Sequence, residues 1–64
     1  MKKFSVFVSE HFSAGWQDVA ASDHQAAVEA VASRVENGSF QWGSVQTTDN
    51  GQEVQRTFIA PKPR

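Results

Sequence analysis

His11 and His24 are the two histidines of the chain, and histidine is the side chain best suited to hold or move a proton near neutral pH. Neither has a second ligand at a spacing such as HxxxH, and the chain has no cysteine, so the pattern predicts no metal site and no thiol chemistry. Ser22, Asp23 and His24 supply the residue types of a nucleophilic triad. Three consecutive residues at a helix start point in different directions, however, and Ser22 is placed to cap that helix. Asp18, Glu29 and Glu36 have no carboxylate partner at a spacing that would set them in one cleft, and the glycines occur singly at turns rather than in a phosphate-cradling loop. These residues predict a non-enzymatic protein without cofactors.

The aromatic residues carry more information. In "SFQWGSVQ", residues 39–46, Phe40 and Trp42 are two apart, as on one face of a strand, whereas Val45 follows Trp42 by three and breaks the alternation. Either a bulge at Gly43 gathers all three on one face, or Trp42 points away from the core. Which holds depends on the elements around them.

Phe4, Val6 and Val8 alternate with Ser5, Phe7 and Ser9, the period-two pattern of a half-buried strand. After the connection "EHFSAG", the stretch "WQDVAA" sets Val19 and Ala21 against Trp16, Asp18 and Ala20 and reads as an edge strand. Ser22 with Gln25 fits a capping box. From there Ala27, Val28, Val31, Ala32 and Val35 form one helical stripe, with Glu29, Ser33 and Glu36 facing outward. Asn37-Gly38 closes the helix. Asn50-Gly51 then predicts a type I′ hairpin, pairing Asp49 with Gln52, Thr47 with Val54, Val45 with Arg56, Gly43 with Phe58 and Trp42 with Ile59.

These elements predict an α+β fold of order ββαββ: a four-stranded antiparallel sheet, strand order 2-1-3-4, with one helix packed on one face. Residues 1–60 form the single domain. Residues 61–64 form a C-terminal tail that Pro61 and Pro63 keep from continuing a strand. The expected core is Phe4, Val6, Val8, Val19, Val45, Val54 and Phe58, with Phe40 plugging the end where the helix exits. Arg56 fits this pattern poorly. It would run its methylenes over the core rim from an edge strand, and a bulge is the rival explanation.

On this pairing the uncovered face shows Phe7, Trp16, Trp42 and Ile59 among Ser5, Ser9, Ser44, Gln46, Gln55 and Thr57. Large aromatics ringed by small polar groups have the composition of a contact surface. The predicted partner-binding residues are therefore Phe7, Trp16, Trp42, Gln55, Arg56 and Ile59. The competing expectation is that the "EHFSAG" connection, Phe12 or the tail covers these rings.

Bulk properties set limits. A chain of 64 residues buries only about 60% of its unfolded surface, and a core this small yields roughly 3–5 kcal/mol unless a staple or a partner adds to it. Homodimerisation through the open face would supply that addition. No run approaches the ~20 apolar residues of a membrane span, and the two lysines at the N-terminus lead into a strand rather than a signal segment, so a cytoplasmic protein is expected. The formal net charge of −1 argues against strongly electrostatic binding to nucleic acid.

The segments "KKFSVFVSE" and "VAASDHQAAVEAVASRVENG" resemble a pattern in small phage and plasmid proteins: a strand, a second strand ending in V-x-A-S, and an alanine-rich helix closing at Asn-Gly. The DpnD/PcfM-like family is one example. The same layout with its final hairpin is similar to some type I anti-CRISPR proteins, small inhibitors that sit on a host defence complex. The resemblance covers about the first two thirds of the chain and transfers no functional residue. It implies a protein partner approached by shape, because no strongly acidic surface is present to mimic DNA. The alternative function is single-stranded nucleic-acid binding, with sheet aromatics stacking bases and Lys2, Lys3, Arg56, Lys62 and Arg64 meeting phosphates. A further alternative is an accessory subunit of a larger assembly.

Overall fold

The computed structural model describes residues 2–61. Lys62 and Arg64, and with them most of the expected tail, lie outside the described residues. The elements are β1 (Lys2–Ser9), β2 (Ala14–Ala21), α1 (His24–Glu36), β3 (Trp42–Asp49) and β4 (Gln52–Ile59). They form one four-stranded antiparallel sheet of order β2-β1-β3-β4 with the single helix against one face. This is the predicted ββαββ, α+β fold. The second strand begins two residues earlier than its sequence pattern suggests, so the β1–β2 connection shrinks to Glu10–Ser13.

The helix starts one residue later than expected. Its N-cap is Asp23, whose extended backbone lets Oδ1 accept the Ala26 N–H at 2.8 Å. Ser22 therefore caps nothing, and Gln25 donates to Glu29 rather than reaching back to a cap. Aspartate serves as well as serine at this position, and the residue next to the first helical turn is the one whose oxygen can reach it. At the other end Gly38 takes φ +85°. The turn it makes lets the N–H groups of Ser39 and Phe40 donate to the Arg34 carbonyl. Phe40 is delivered into the core at 5% exposure, with the Arg34 guanidinium 4.7 Å from its ring centre.

Between helix and sheet lie Phe4, Val6, Val8, Ala21, Ala27, Val31, Val35, Phe40 and Val45. The helix contributes only alanine and valine here, so it sits close to the sheet. Gly43 is the point of closest approach: a Cβ there would stand 2.6 Å from Val31 Cγ1. The glycine thus makes room for the helix.

The β3–β4 hairpin turns at Asn50 (φ 51°) and Gly51 (φ 83°), the type I′ geometry its residues dictate. Asp49 pairs with Gln52 and Thr48 with Glu53, but the next pair is Thr47 with Gln55. A β-bulge leaves Val54 as the extra residue. Beyond it Val45 pairs with Thr57, Ser44 with Phe58 and Gly43 with Ile59. A one-residue slip turns every side chain to the opposite face, and four expectations change as a result. Val54 and Phe58 leave the core and are each 65% exposed. Ile59 joins the core margin instead of the open face. Gln55 and Thr57 move to the helix side. Arg56 turns to the open face beside Gln46 and reaches Glu53 at 2.8 Å.

The reason for the bulge lies in Arg56 and Thr57. An unbroken register would set Arg56 opposite Val45, which is fully buried, and a guanidinium there would lose its water without a carboxylate to replace it. With the bulge, Thr57 occupies that place and meets His24. The imidazole Nε2 lies 2.8 Å from Thr57 Oγ1, and Nδ1 is hydrogen-bonded to Thr47 Oγ1. One part-buried ring thereby fastens the start of α1 to β3 and β4.

Candidate functional site

The face of the sheet away from α1 is built in rows across the strands. One row runs Trp16 (β2), Phe7 (β1), Ser44 (β3), Phe58 (β4). The next row toward the β1–β2 turn contains Ala14, Ser9 and Trp42. The next in the other direction contains Asp18, Ser5, Gln46 and Arg56. Small residues separate the large ones, so each ring can lean over a neighbouring strand. Phe7 meets Trp16 edge to face at 5.4 Å and stacks on Trp42 at 5.4 Å and 30°. Trp42 in turn lies 5.6 Å from Phe58. Four rings therefore form one continuous band from the β2 edge to the β4 edge.

The question posed by "SFQWGSVQ" is thus resolved without a bulge at Gly43. Phe40 precedes the strand and is buried, Trp42 opens β3 on the uncovered face, and Gly43 and Val45 point to the helix. Nothing among the described residues closes over the band. Trp16 is 61% exposed and Phe58 65%. Phe12, a candidate cover, stands fully in solvent at the β1–β2 turn.

The structure brings together Phe7, Trp16, Trp42 and Arg56 from the predicted contact residues. It does not bring Gln55 or Ile59 to them, because both lie beyond the bulge in the shifted register. Phe58 belongs to the band and escaped the sequence reading. The signal that could have found it was Arg56: a charge falling on the apolar side of β4 marks the strand's phase as wrong, and reversing that phase exposes Phe58.

Electrostatically the face is balanced. Among the described residues Lys3 and Arg56 are its positive groups and Asp18 and Glu53 its negative ones, by their register positions. Arg56 pairs with Glu53, while Asp18 has no ion-pair partner among the described residues. Of the two histidines, His24 has both ring nitrogens engaged by threonine hydroxyls, and His11 lies exposed beside Phe12. Among the described residues no three His, Asp or Glu side chains gather to hold a metal ion. A cleft of about 400 Å³ opens beside the start of α1, lined by Lys2, Asp23, His24, Thr47 and Asp49 among others. No helix among the described residues is long and apolar enough to cross a membrane.

No family model matches this chain, and no curated protein and no solved structure matches it.

Proposed function

We propose that this chain is a non-enzymatic binding module that contacts protein through the open face of its sheet. The observation that carries the reading is the band of four touching rings on an uncovered face, set among serines and alanines. Aromatic side chains bring large buried area at little conformational cost, and small polar neighbours let a partner approach closely. The equal numbers of positive and negative groups among the described residues of the face favour a protein surface over a phosphate backbone, which would draw on a positive excess. The biological use we assign to such a face is occlusion: it covers a working surface of a larger assembly, in keeping with the host defence inhibitors that the sequence resembles.

Affinity capture from bacterial lysate, with and without nuclease and with Trp42→Ala in parallel, tests this. The reading expects a protein partner that survives nuclease and is lost with Trp42→Ala while that variant keeps its circular dichroism spectrum. Partners that vanish on nuclease treatment would favour the second reading, in which the rings stack single-stranded bases and Lys2, Lys3 and Arg56 meet phosphates. That mode weakens steeply with added salt. Arg56 is already held by Glu53, which reduces its value as a phosphate contact.

A further inference from the structure

We infer that the open face is self-complementary, and that in the free protein its occupant is a second copy of this chain, laid face to face about a two-fold axis parallel to the strands. The inference rests on the reading of this face as a contact surface and names its partner in the absence of any other target. A half-turn about an axis running between β1 and β3 sets β2 of one copy over β4 of the other, and β1 over β3. Each row of the face then meets itself reversed.

The register gives the consequence residue by residue. In the aromatic row, Trp16 lies over Phe58 of the second copy and Phe7 over its Ser44, where the Trp42 ring leans across between Phe7 and Phe58, so rings face rings along the whole row. In the row toward the β1–β2 turn, Ser9 lies over Trp42. In the third row, Ser5 lies over Gln46, and Asp18 over Arg56. Asp18, without an ion-pair partner within its own chain among the described residues, thus comes to face the Arg56 guanidinium, which would be shared with the Glu53 of its own chain, and symmetry forms the contact twice. The other in-plane axis, across the strands, sets each strand over its own copy, so Asp18 on β2 cannot reach Arg56 on β4. It gains none of these pairings.

Size agrees with a modest association. Four strands about 4.8 Å apart and about 27 Å long give roughly 500 Å² per copy, or about 1,000 Å² in total, the lower bound for a specific interface. Sheets stacked face to face settle about 10 Å apart at roughly −30°, a spacing that interdigitating large and small side chains fill. The product is a four-layer pair with both helices outside. It supplies the added burial that a core of this size lacks.

Sedimentation velocity of the purified chain over a wide concentration range, with two charge variants, tests the arrangement. The wild type is expected to pass from 7.1 kDa to twice that mass. Asp18→Lys alone and Arg56→Glu alone each set like charges over one another twice and should weaken association by roughly tenfold or more. An equimolar mixture of the two should associate again. In the mixed pair the introduced lysine of one copy faces the introduced glutamate of the other, and the unchanged Asp18 and Arg56 face each other. A wild type that stays monomeric throughout, or a dimer that neither variant weakens, or variants whose mixture does not recover, would overturn the inference. A monomeric wild type that still captures a protein through Trp42 overturns the pairing alone. A monomer whose capture is indifferent to Trp42→Ala overturns the contact reading as well.

Discussion

On the helix side of the sheet, β1 presents Phe4, Val6 and Val8 and β3 presents Val45, all closed to solvent. On the other side the same two strands present Phe7 and Trp42 among serines and a glutamine, half open. The difference is one of size and company. The covered face uses mainly branched, compact groups that let α1 approach to within contact of the backbone at Gly43. The open face uses rings too large for such an approach and spaces them with small polar groups. A core is specified by filling volume at high density, whereas a contact face must keep its shape in water and still offer apolar area. Alternation along a strand lets one chain encode both.

Substitutions on the two faces should separate them. The largest effect is expected at Phe40: its replacement by alanine removes a buried ring at the mouth of the core and should cost about 3–5 kcal/mol, leaving a chain of this size largely unfolded by circular dichroism. Gly43→Ala forces a methyl group against Val31 and should cost about 1–3 kcal/mol in urea unfolding. Because the obstacle is a side chain on α1, Val31→Ala should recover part of that loss in the double variant. His24→Ala removes the link from α1 to Thr47 and Thr57 and is expected to cost about 1–3 kcal/mol, two hydrogen bonds at about 0.5–1.5 kcal/mol each. Double-mutant cycles with Thr47→Val and Thr57→Val should show both threonines coupled to His24. The smallest effect belongs to Phe58→Ser, which on the bulged register changes stability by less than about 1 kcal/mol. A loss as large as that of Phe40→Ala would return Phe58 to the core and restore the unbroken register.

Much of this architecture was legible where local chemistry decides it. Asn50-Gly51 needs positive φ at both positions, Gly38 ends the helix, and the Ala/Val stripe of α1 admits one packing face; strand order followed from these elements and their connections. What local patterns could not supply was the phase of β4. In "QEVQRTFI" Val54 and Phe58 favour one phase and Arg56 the other, and the choice is made by tertiary partners: Arg56 escapes burial and finds Glu53, while Thr57 turns inward to His24. His24 was legible only as a histidine without metal ligands nearby in sequence, because Thr47 and Thr57, 23 and 33 residues away, give no spacing signal. Of the candidate site, Phe7, Trp16 and Trp42 followed directly from strand alternation. Ile59 and Gln55 were misplaced and Phe58 missed through that one shift of phase.

Urea unfolding of Trp42→Ala, followed by circular dichroism at the lowest workable protein concentration, separates an aromatic band that belongs to a contact from one that belongs to the fold's interior. Trp42 touches both Phe7 and Phe58, so its removal interrupts the band at its centre. For a contact band the transition is cooperative and within about 2 kcal/mol of the wild type, the scale of lost cross-strand ring contacts. A variant that is unfolded before urea is added, as expected for Phe40→Ala, would contradict a contact band and make Trp42 part of the core.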